Sequence, residues 1–456
     1  MSCFKTYDIR GLVPSQLNEE IAETIGMAFA HITGATRVAV GYDPRLSSPR
    51  LTRALSRGLV RAGLQVHYLG LCGTEEAYFA SCLPRFDAAI MVTASHNPSE
   101  YNGMKMVLKK ARPLSPEQFA YLRQLTESGF STEKVGGEEH LGSVRQEYFS
   151  YLSKVIGTPS QRRLKVVCNP GNGGASVAFP LLRDFFEVVA LNARPNGHFP
   201  NGVPNPMIPE SRVCTTEVVQ AEGAHFGVAW DGDFDRCFLF DEKGAFVENY
   251  HLTALLSAYF LTREPEAKII HDPRLTWCVE REVKALGGHP ICAKTGHVNL
   301  KAQMKAQDAI YGGEMSGHHY FKDLYGFDSG LLPALLVSQI LARSQHTLSE
   351  LLRPLRDEYK VSGEINFRVA DVQLVLEAIE REMSSQALTV SKMDGLSMEF
   401  ADWRFNVRSS NTEPLLRLNV EAIKSERKVK SAVLQLRQII ESVNRRAETV
   451  SFPKAA

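Results

Sequence analysis

Along the first three quarters of the chain, short apolar runs alternate with amphipathic stretches, the pattern of α/β units built around mainly parallel sheets. Three of these units open alike: Val38 to Arg45 (VAVGYDPR), Lys165 to Gly171 (KVVCNPG) and Lys268 to Arg274 (KIIHDPR). Each is a β-rich run ending in Asp-Pro or Asn-Pro, residues that favour a turn. Each is followed by a helical stretch and then by a second apolar run that ends in a polar loop: IMVTASHNP, FGVAWDGDFDR and AIYGGEMSGH. This predicts three copies of one architecture. In open α/β sheets ligands sit beyond the carboxyl ends of the strands, so the three loops are expected to converge on one cleft.

Beyond about residue 358 the pattern changes. Ile365, Phe367 and Val369 alternate with polar positions, Phe400, Trp403, Phe405 and Val407 do so approximately, and Leu416, Leu418 and Val420 follow after a turn. That is the patterning of half-buried antiparallel strands. Val429, Val433, Leu436, Ile440 and Val443 then fall at steps of three and four, one apolar stripe on a closing helix. A smaller α+β domain is therefore expected to end the chain. The helical segment Val144 to Ile156, with Tyr148, Tyr151, Leu152 and Val155 on one face, is expected to join the first unit to the second.

Composition narrows the function. A chain of 456 residues exceeds one hydrophobic core, in agreement with several domains. With 52 basic residues against 51 acidic ones, bulk charge offers no hold on nucleic acid or a membrane surface, so any anion site must be local. The eight cysteines are scattered singly, without a Cys-x-x-Cys pair, and read as buried small hydrophobes in a reducing compartment. The first residues carry charges where a signal peptide would be apolar, and no apolar run is long enough to span a bilayer, so a cytoplasmic location is expected.

The polar loops carry the candidate chemistry. Thr93-Ala94-Ser95-His96-Asn97-Pro98 holds Ser95 at a strand end beside an imidazole, as a nucleophile or a phosphate carrier; a helix N-cap is the plain alternative. Lys105 follows closely and suits a general base if desolvation lowers its pKa. Asp231, Asp233 and Asp235 place three hard oxygen ligands at alternate positions, which suits Mg²⁺. A calcium EF-hand is disfavoured, because Arg236 stands where its sharp turn needs glycine. A phosphatase with an Asp-x-Asp nucleophile and a purely structural turn stay open for this loop. Glu314 and Ser316, between glycines, suit a grip on two neighbouring sugar hydroxyls. Arg408 followed by Ser409, Ser410, Asn411 and Thr412 suits a phosphate cradle, with a polar hairpin turn as the alternative. Gly171-Asn172-Gly173-Gly174 is not a dinucleotide fingerprint, since the next apolar run ends at Asn192 where an acidic ribose ligand is needed.

Taken in order, Tyr7-Asp8-Ile9-Arg10-Gly11, the T-A-S-H-N-P loop, D-G-D-x-D-R, Lys294-Thr295-Gly296-His297, G-E-M-S-G-H and R-S-S-N-T span essentially the whole chain. Together they resemble the α-D-phosphohexomutase superfamily, in its phosphomannomutase/phosphoglucomutase branch. The resemblance implies an α/β fold of four domains around a central cleft. Three topologically similar mixed α/β domains, 1–143 with the phosphoserine loop, 144–246 with the metal loop and 247–357 with the sugar loop, precede an α+β domain, 358–456, with the phosphate loop. It also implies an isomerase that moves a phosphoryl group between C6 and C1 of a hexose phosphate, mannose phosphates first and glucose phosphates beside them. That activity would feed nucleotide-sugar synthesis for surface polysaccharide.

In that scheme phosphorylated Ser95 donates its phosphoryl group, one Mg²⁺ is held by Ser95, Asp231, Asp233 and Asp235, and hexose 1,6-bisphosphate is both intermediate and activator. Arg408, Ser410, Asn411 and Thr412 hold the phosphate not being transferred, while Glu314 and Ser316 hold sugar hydroxyls. Tyr7, Arg274 and His318 complete the substrate contacts. Lys105 and His297 transfer protons, Arg10 and Arg236 supply positive charge near the phosphoserine, and His96 is a further catalytic candidate. The expected partners are small hexose phosphates, with no nucleic acid or membrane, for a monomer or homodimer. Phe234 stands where many relatives carry glycine and is expected to leave ligation unchanged. Arg274 stands where relatives carry lysine, and is expected to shift substrate preference through its different geometry. A phosphoglucosamine mutase, a Mg²⁺-dependent sugar phosphatase and a silent phosphosugar-binding paralogue are the alternatives.

Overall fold

A computed structural model describes residues 1–409 and 415–451. The chain forms two compact units: Met1–Val247 with Ser316–Ser349, and Glu248–Met315 with the described residues from Glu350 onward.

The first unit carries two sheets. In the first, the strands lie in the order Ile9–Leu12, Tyr101–Leu108, Ala88–Val92, Arg37–Tyr42, Gln65–Leu71 and Glu138–Leu141. The last four are parallel and the first two antiparallel to their neighbours. In the second, Lys165–Asn169 lies between Phe226–Trp230 and Glu187–Ala190, parallel to both, and Cys237–Phe240 runs antiparallel to Phe226–Trp230. In the second unit, Lys268–His271 lies between Tyr311–Gly313 and His289–Cys292, again parallel to both.

The threefold pattern is therefore a shared topology. The strand ending in Asp-Pro or Asn-Pro is central each time, flanked on one side by the strand that carries the polar loop. Ala88–Val92 and Phe226–Trp230 are buried at every position, which is why they read as unbroken apolar runs.

Helices cover the sheets where caps and apolar faces coincide. Glu19–Thr33 starts where Asn18 Oδ1 accepts from the Ile21 amide at 2.9 Å, with Glu19 and Glu20 in the positive first turn. Its Ala22, Ile25 and Phe29 share a core with Leu51, Leu55 and Leu59 of Ser48–Arg61 and with Val38, Val40 and Ile90 of the sheet. Each such large side chain contributes about 1.5–3 kcal/mol. Arg145–Ile156 buries Tyr148, Phe149, Leu152 and Ile156.

The C-terminal sheet is antiparallel, with Leu415–Ile423 paired to Trp403–Ser409, Ile365–Arg368 and Tyr359–Val361. Helices Val372–Met383 and Glu426–Ser451 cover it; Val429, Leu436 and Ile440 are buried against Phe405, Leu418 and Val420, with Val433 and Val443 half-buried at the margin. Trp403–Ser409 departs from the half-buried pattern, because Arg404 and Asn406 are buried as well. Both find partners inside: Arg404 Nη1 donates to Glu421 Oε1 at 2.8 Å, and Asn406 Nδ2 donates to Asp394 O at 2.9 Å and Ser397 Oγ at 3.0 Å.

Candidate active site

The strand Ala88–Val92 delivers Ser95 into a turn with φ of +51°, fully buried. No helix begins there, since the strand Tyr101–Leu108 follows, so the N-cap reading does not hold. Arg45, itself fully buried, clamps the loop: Nη2 donates to the carbonyls of Ser95 at 2.8 Å and Asn97 at 2.6 Å, and Nη1 to those of Pro98 at 2.6 Å and Tyr101 at 3.0 Å. Asp43 holds Arg45 Nε at 3.1 Å and accepts from Thr93 Oγ1 at 2.7 Å, while Thr93 Oγ1 accepts from the Ser95 amide at 2.8 Å. The Asp-Pro-Arg turn of the first repeat thus supports the serine loop of the same repeat.

Asp231, Asp233 and Asp235 are buried and place one oxygen each within 4.8 Å of the others. Ser95 Oγ donates to Asp231 Oδ2 at 2.6 Å. Gly232 is needed for this approach, because a Cβ there would lie 2.5 Å from the Ser95 carbonyl oxygen. Among the described residues, the Oδ1 atom of each aspartate is buried without a hydrogen-bond partner. Buried carboxylate oxygens left unpaired are costly, and three of them beside a serine oxygen form an all-oxygen donor set that fits a hard divalent cation such as Mg²⁺.

Burial and the charges of Asp233 and Asp235 push Asp231 up to about 7. Burial opposes the charge on Asp233 too, but Lys105 outweighs it and holds Asp233 below the usual carboxylate range. Lys105 Nζ lies 2.7 Å from Asp233 Oδ2 and 2.5 Å from Asp235 Oδ2. Burial alone would loosen its proton, yet these two carboxylates carry its pKa well above the ordinary value. The condition set for a general base, a lysine depressed by desolvation, is therefore not met, and Lys105 is a charged ammonium group. His96 is the opposite case. Burial, then Arg236, Arg10 and Lys105, hold it well below its usual pKa, so a neutral imidazole Nδ1 stands 3.2 Å from Ser95 Oγ.

Arg10 donates to Asn97 Oδ1 and Asp8 Oδ2, both at 2.7 Å, while Arg236 Nε lies 3.6 Å from Asp231 Oδ2. His318 Nδ1 is 3.0 Å from Asp328 Oδ2 and 3.8 Å from Asp235 Oδ1. The structure thus gathers Ser95, His96, Lys105, Arg10, Arg236 and His318 about the three aspartates. Tyr7 is half-buried just ahead of Arg10.

Two residues that sequence reasoning missed, Thr74 and Gly73, pack against the aspartate loop. Thr74 opens the helix Thr74–Cys82; its amide donates to the Asp233 carbonyl at 3.1 Å and its Oγ1 to Asp233 Oδ2 at 2.5 Å. Phe234 is fully buried with φ of +49°, a conformation that glycine takes without strain. Its ring fills the space over Gly73, where a Cβ would lie 2.1 Å from the nearest ring atom. Phe234 therefore requires glycine at 73. Nothing in a single sequence links positions so far apart.

In the second unit, the Gly296 amide donates to Glu314 Oε1 at 3.0 Å, immediately before His297 opens the helix His297–Gln307. Arg274 forks onto its own turn, with Nε 3.1 Å from Asp272 Oδ1 and Nη2 2.7 Å from Asp272 Oδ2, and its Nη2 lies 3.7 Å from Glu314. The Met315 amide donates to the same Asp272 at 2.7 Å. Ser316 is half-buried and begins the stretch that returns to the first unit. Arg408 is buried, 3.8 Å from Glu364, a carboxylate that Arg417 approaches at 3.2 Å. Glu364 and Arg417 were also missed; a strand-edge glutamate and arginine carry no sequence signal. Ser410, Asn411 and Thr412 lie outside the described residues.

Comparison with known proteins places this geometry. The descriptions for phosphoglucomutase/phosphomannomutase match in order: alpha/beta/alpha domain I at residues 1–133, domain II at 146–244, domain III at 248–359 and the C-terminal domain at 364–439. A phosphomannomutase of Salmonella typhimurium is 46% identical over 433 residues, 92% of this chain and 95% of the relative. One from Vibrio cholerae is 42% identical over 459 residues, 97% of this chain and 99% of the relative. The crystal structure of a phosphoglucomutase/phosphomannomutase family protein from Burkholderia thailandensis superposes with a TM-score of 0.86 at 33% identity, covering 100% of this chain and 98% of that one. With its four domains of mixed α/β and α+β build, this chain belongs to the phosphoglucomutase/phosphomannomutase family.

Proposed function

We propose that the chain is a phosphomannomutase that interconverts mannose 6-phosphate and mannose 1-phosphate in the cytoplasm and also accepts glucose phosphates. The observation that carries this reading is the Ser95 hydroxyl, 2.6 Å from Asp231 in a buried aspartate trio with unpaired oxygens. The relatives named phosphomannomutase support the choice of sugar.

In the first half-reaction the free sugar hydroxyl attacks the phosphorus of phosphorylated Ser95. The Oγ–P bond breaks, the sugar hydroxyl proton leaves to a base, Ser95 Oγ takes a proton from His96 in its protonated form, and hexose 1,6-bisphosphate forms. The bisphosphate then turns over, and Ser95 Oγ attacks its other phosphate, releasing the isomeric monophosphate and restoring phosphoserine. Asp231, Asp233, Asp235 and a phosphoserine oxygen would hold Mg²⁺, which would supply neutralisation of the charge that develops on the transferred group. Neutral His96 accepts the Ser95 proton in the return step, and the Lys105 ammonium protonates the leaving sugar oxygen. His297 is the second proton-transfer group. Arg10 and Arg236 hold negative charge at Ser95. Glu314, Ser316, Tyr7 and His318 recognise the sugar in either orientation, Arg274 contributes to substrate binding by supporting the Glu314 loop, and Arg408, Ser410, Asn411 and Thr412 hold the idle phosphate. Hexose 1,6-bisphosphate serves as activator by phosphorylating a bare Ser95. We infer domain limits of 1–143, 144–246, 247–357 and 358–456 for these roles.

The test incubates the protein with Mg²⁺, a trace of glucose 1,6-bisphosphate and either mannose 1-phosphate or glucose 1-phosphate, following 6-phosphate and free phosphate together. Conversion without phosphate release, abolished by Ser95→Ala, is expected. Free phosphate as the main product would instead make the protein a phosphatase, and turnover of glucosamine phosphate alone would change the sugar.

A further inference from the structure

Three guanidinium groups of the second unit face one carboxylate. Glu364 sits in the short connection between the strands Tyr359–Val361 and Ile365–Arg368. Its Oε1 lies 3.2 Å from Arg417 Nη1, and its Oε2 lies 3.8 Å from Arg408 Nη2 and 3.9 Å from Arg274 Nη1. The last two distances exceed a hydrogen bond, and Oε2, though buried, has no hydrogen-bond partner among the described residues. Arg408 is in a matching state. Its side chain is 6% exposed, and among the described residues its Nε has no partner. Arg274 already has its counter-ion in Asp272. Arg408 and Arg417 therefore share Glu364, which attracts both but leaves the donors of Arg408 unsaturated.

Such an arrangement suits a site that must accept an anion and later give it up. A buried cluster of cations without a counter-charge would repel itself open, and burial together with the neighbouring Arg274 already disfavours the charge on Arg408. A cluster saturated by a bidentate carboxylate would refuse phosphate. Glu364 stands between these extremes.

We propose that Glu364 is the internal counter-ion of the phosphate clamp: it keeps Arg274, Arg408 and Arg417 assembled when no phosphate is bound, and weakens their grip when one is, so that a bisphosphate can let go and turn. The inference rests on the mutase reading. Only a reaction whose intermediate must exchange its two phosphates between sites benefits from a deliberately loosened clamp. Even with water-like screening, one carboxylate charge beside a phosphate dianion weakens its binding by about tenfold.

The test is calorimetric titration of mannose 1-phosphate into the non-reacting Ser95→Ala protein, with and without Glu364→Gln, and with uncharged mannose as control. The expected result is a Kd lower by about tenfold or more for the phosphosugar in Glu364→Gln, with no change for mannose. In the Ser95-containing protein, Glu364→Gln is expected to lower KM and kcat together, because tighter holding slows reorientation and release. Unchanged or weaker phosphosugar binding would overturn the proposal. Should Glu364→Gln not fold, the same comparison is made between Arg417→Gln and the double variant E364Q/R417Q, which has one guanidinium fewer around position 364; the double must bind more tightly. A folded Ser95→Ala protein that binds no hexose phosphate at all would instead defeat the mutase reading, whereas binding without tightening defeats the role of Glu364 alone.

Discussion

Gly73→Ala is a methyl group that ought to reach the metal loop. The added Cβ would lie 2.1, 2.4 and 2.5 Å from three atoms of the Phe234 ring. The ring has little room to yield, because it is fully buried, is fixed by a backbone in the left-handed region, and meets a second glycine, Gly174, at 3.3 Å from where its Cβ would be. Either the backbone at 73 and 74 or that at 234 must move, and overpacking of this kind costs about 1–3 kcal/mol. Thr74 and Asp233 are the next residues on the two sides, joined by two hydrogen bonds, so the displacement passes to a carboxylate of the aspartate trio. Disturbing the outer partners of metal ligands lowers affinity by about 10–100-fold. The assay is Mg²⁺ titration by calorimetry together with thermal unfolding, and both are expected to weaken. Phe234→Gly on its own loses a buried ring, about 3–5 kcal/mol, yet in the Gly73→Ala background it vacates the space that the methyl needs. The double variant should therefore bind Mg²⁺ more tightly than Gly73→Ala. Metal affinity of Gly73→Ala within about threefold of the parent, or a double variant no better than the single one, would refute the reasoning.

Lys105→Met should destabilise the metal-free protein by about 3–5 kcal/mol, since Asp233 and Asp235 lose their buried counter-charge, and Mg²⁺ should recover most of the loss in thermal unfolding; equal losses with and without Mg²⁺ would count against the account. A pH effect is expected from His251, buried and depressed to about 4 chiefly by burial. An unfolded imidazole takes its proton near pH 6.5, so between pH 6.5 and 4 the unfolded chain binds more protons and stability falls, by up to about 3 kcal/mol for this group. Urea unfolding at several pH values should show a shallower loss in His251→Gln, and identical slopes would exclude the assignment.

What was legible in the sequence follows from the range over which each signal acts. Ala88–Val92 and Phe226–Trp230 were readable because strands buried on both faces must be apolar throughout, and the loops after them because Ser95 and the aspartates carry their chemistry in a few adjacent residues. The behaviour of Lys105 was not, because two effects of opposite sign compete there, and only the 2.5 and 2.7 Å distances to two carboxylates decide between them. Arg404 and Asn406 looked like the solvent face of a strand. Alternation marks which residues share a face; it does not tell that Glu421, Asp394 and Ser397 would offer partners to the other face from within. Gly73, Thr74 and Glu364 acquire their meaning from residues elsewhere in the chain, so their types alone are uninformative.

The repeat itself has a physical reason that bears on substrate choice. In all three copies the side-chain oxygen before the proline accepts the backbone amide two residues on: Arg45 to Asp43 at 3.1 Å, Gly171 to Asn169 at 2.9 Å, Arg274 to Asp272 at 2.9 Å. This turn ends the central strand each time. Arg45 then reaches back to the aspartate of its own turn through Nε, and Arg274 through Nε and Nη2, while in the first copy the rest of the guanidinium supports the loop of the neighbouring strand. By that parallel, Arg274 is first a support for the loop of Glu314, whose next residue, Met315, also bonds to Asp272. Arg274→Lys keeps the charge but loses one of two charge-assisted bonds to Asp272, about 1.5–3 kcal/mol. Thermal stability should fall, and kcat/KM for mannose and glucose phosphates should fall together, their ratio moving by less than about threefold. A ratio shifted by about tenfold in a protein of undiminished stability would show that Arg274 selects the sugar directly, and the structural parallel with Arg45 would then fail.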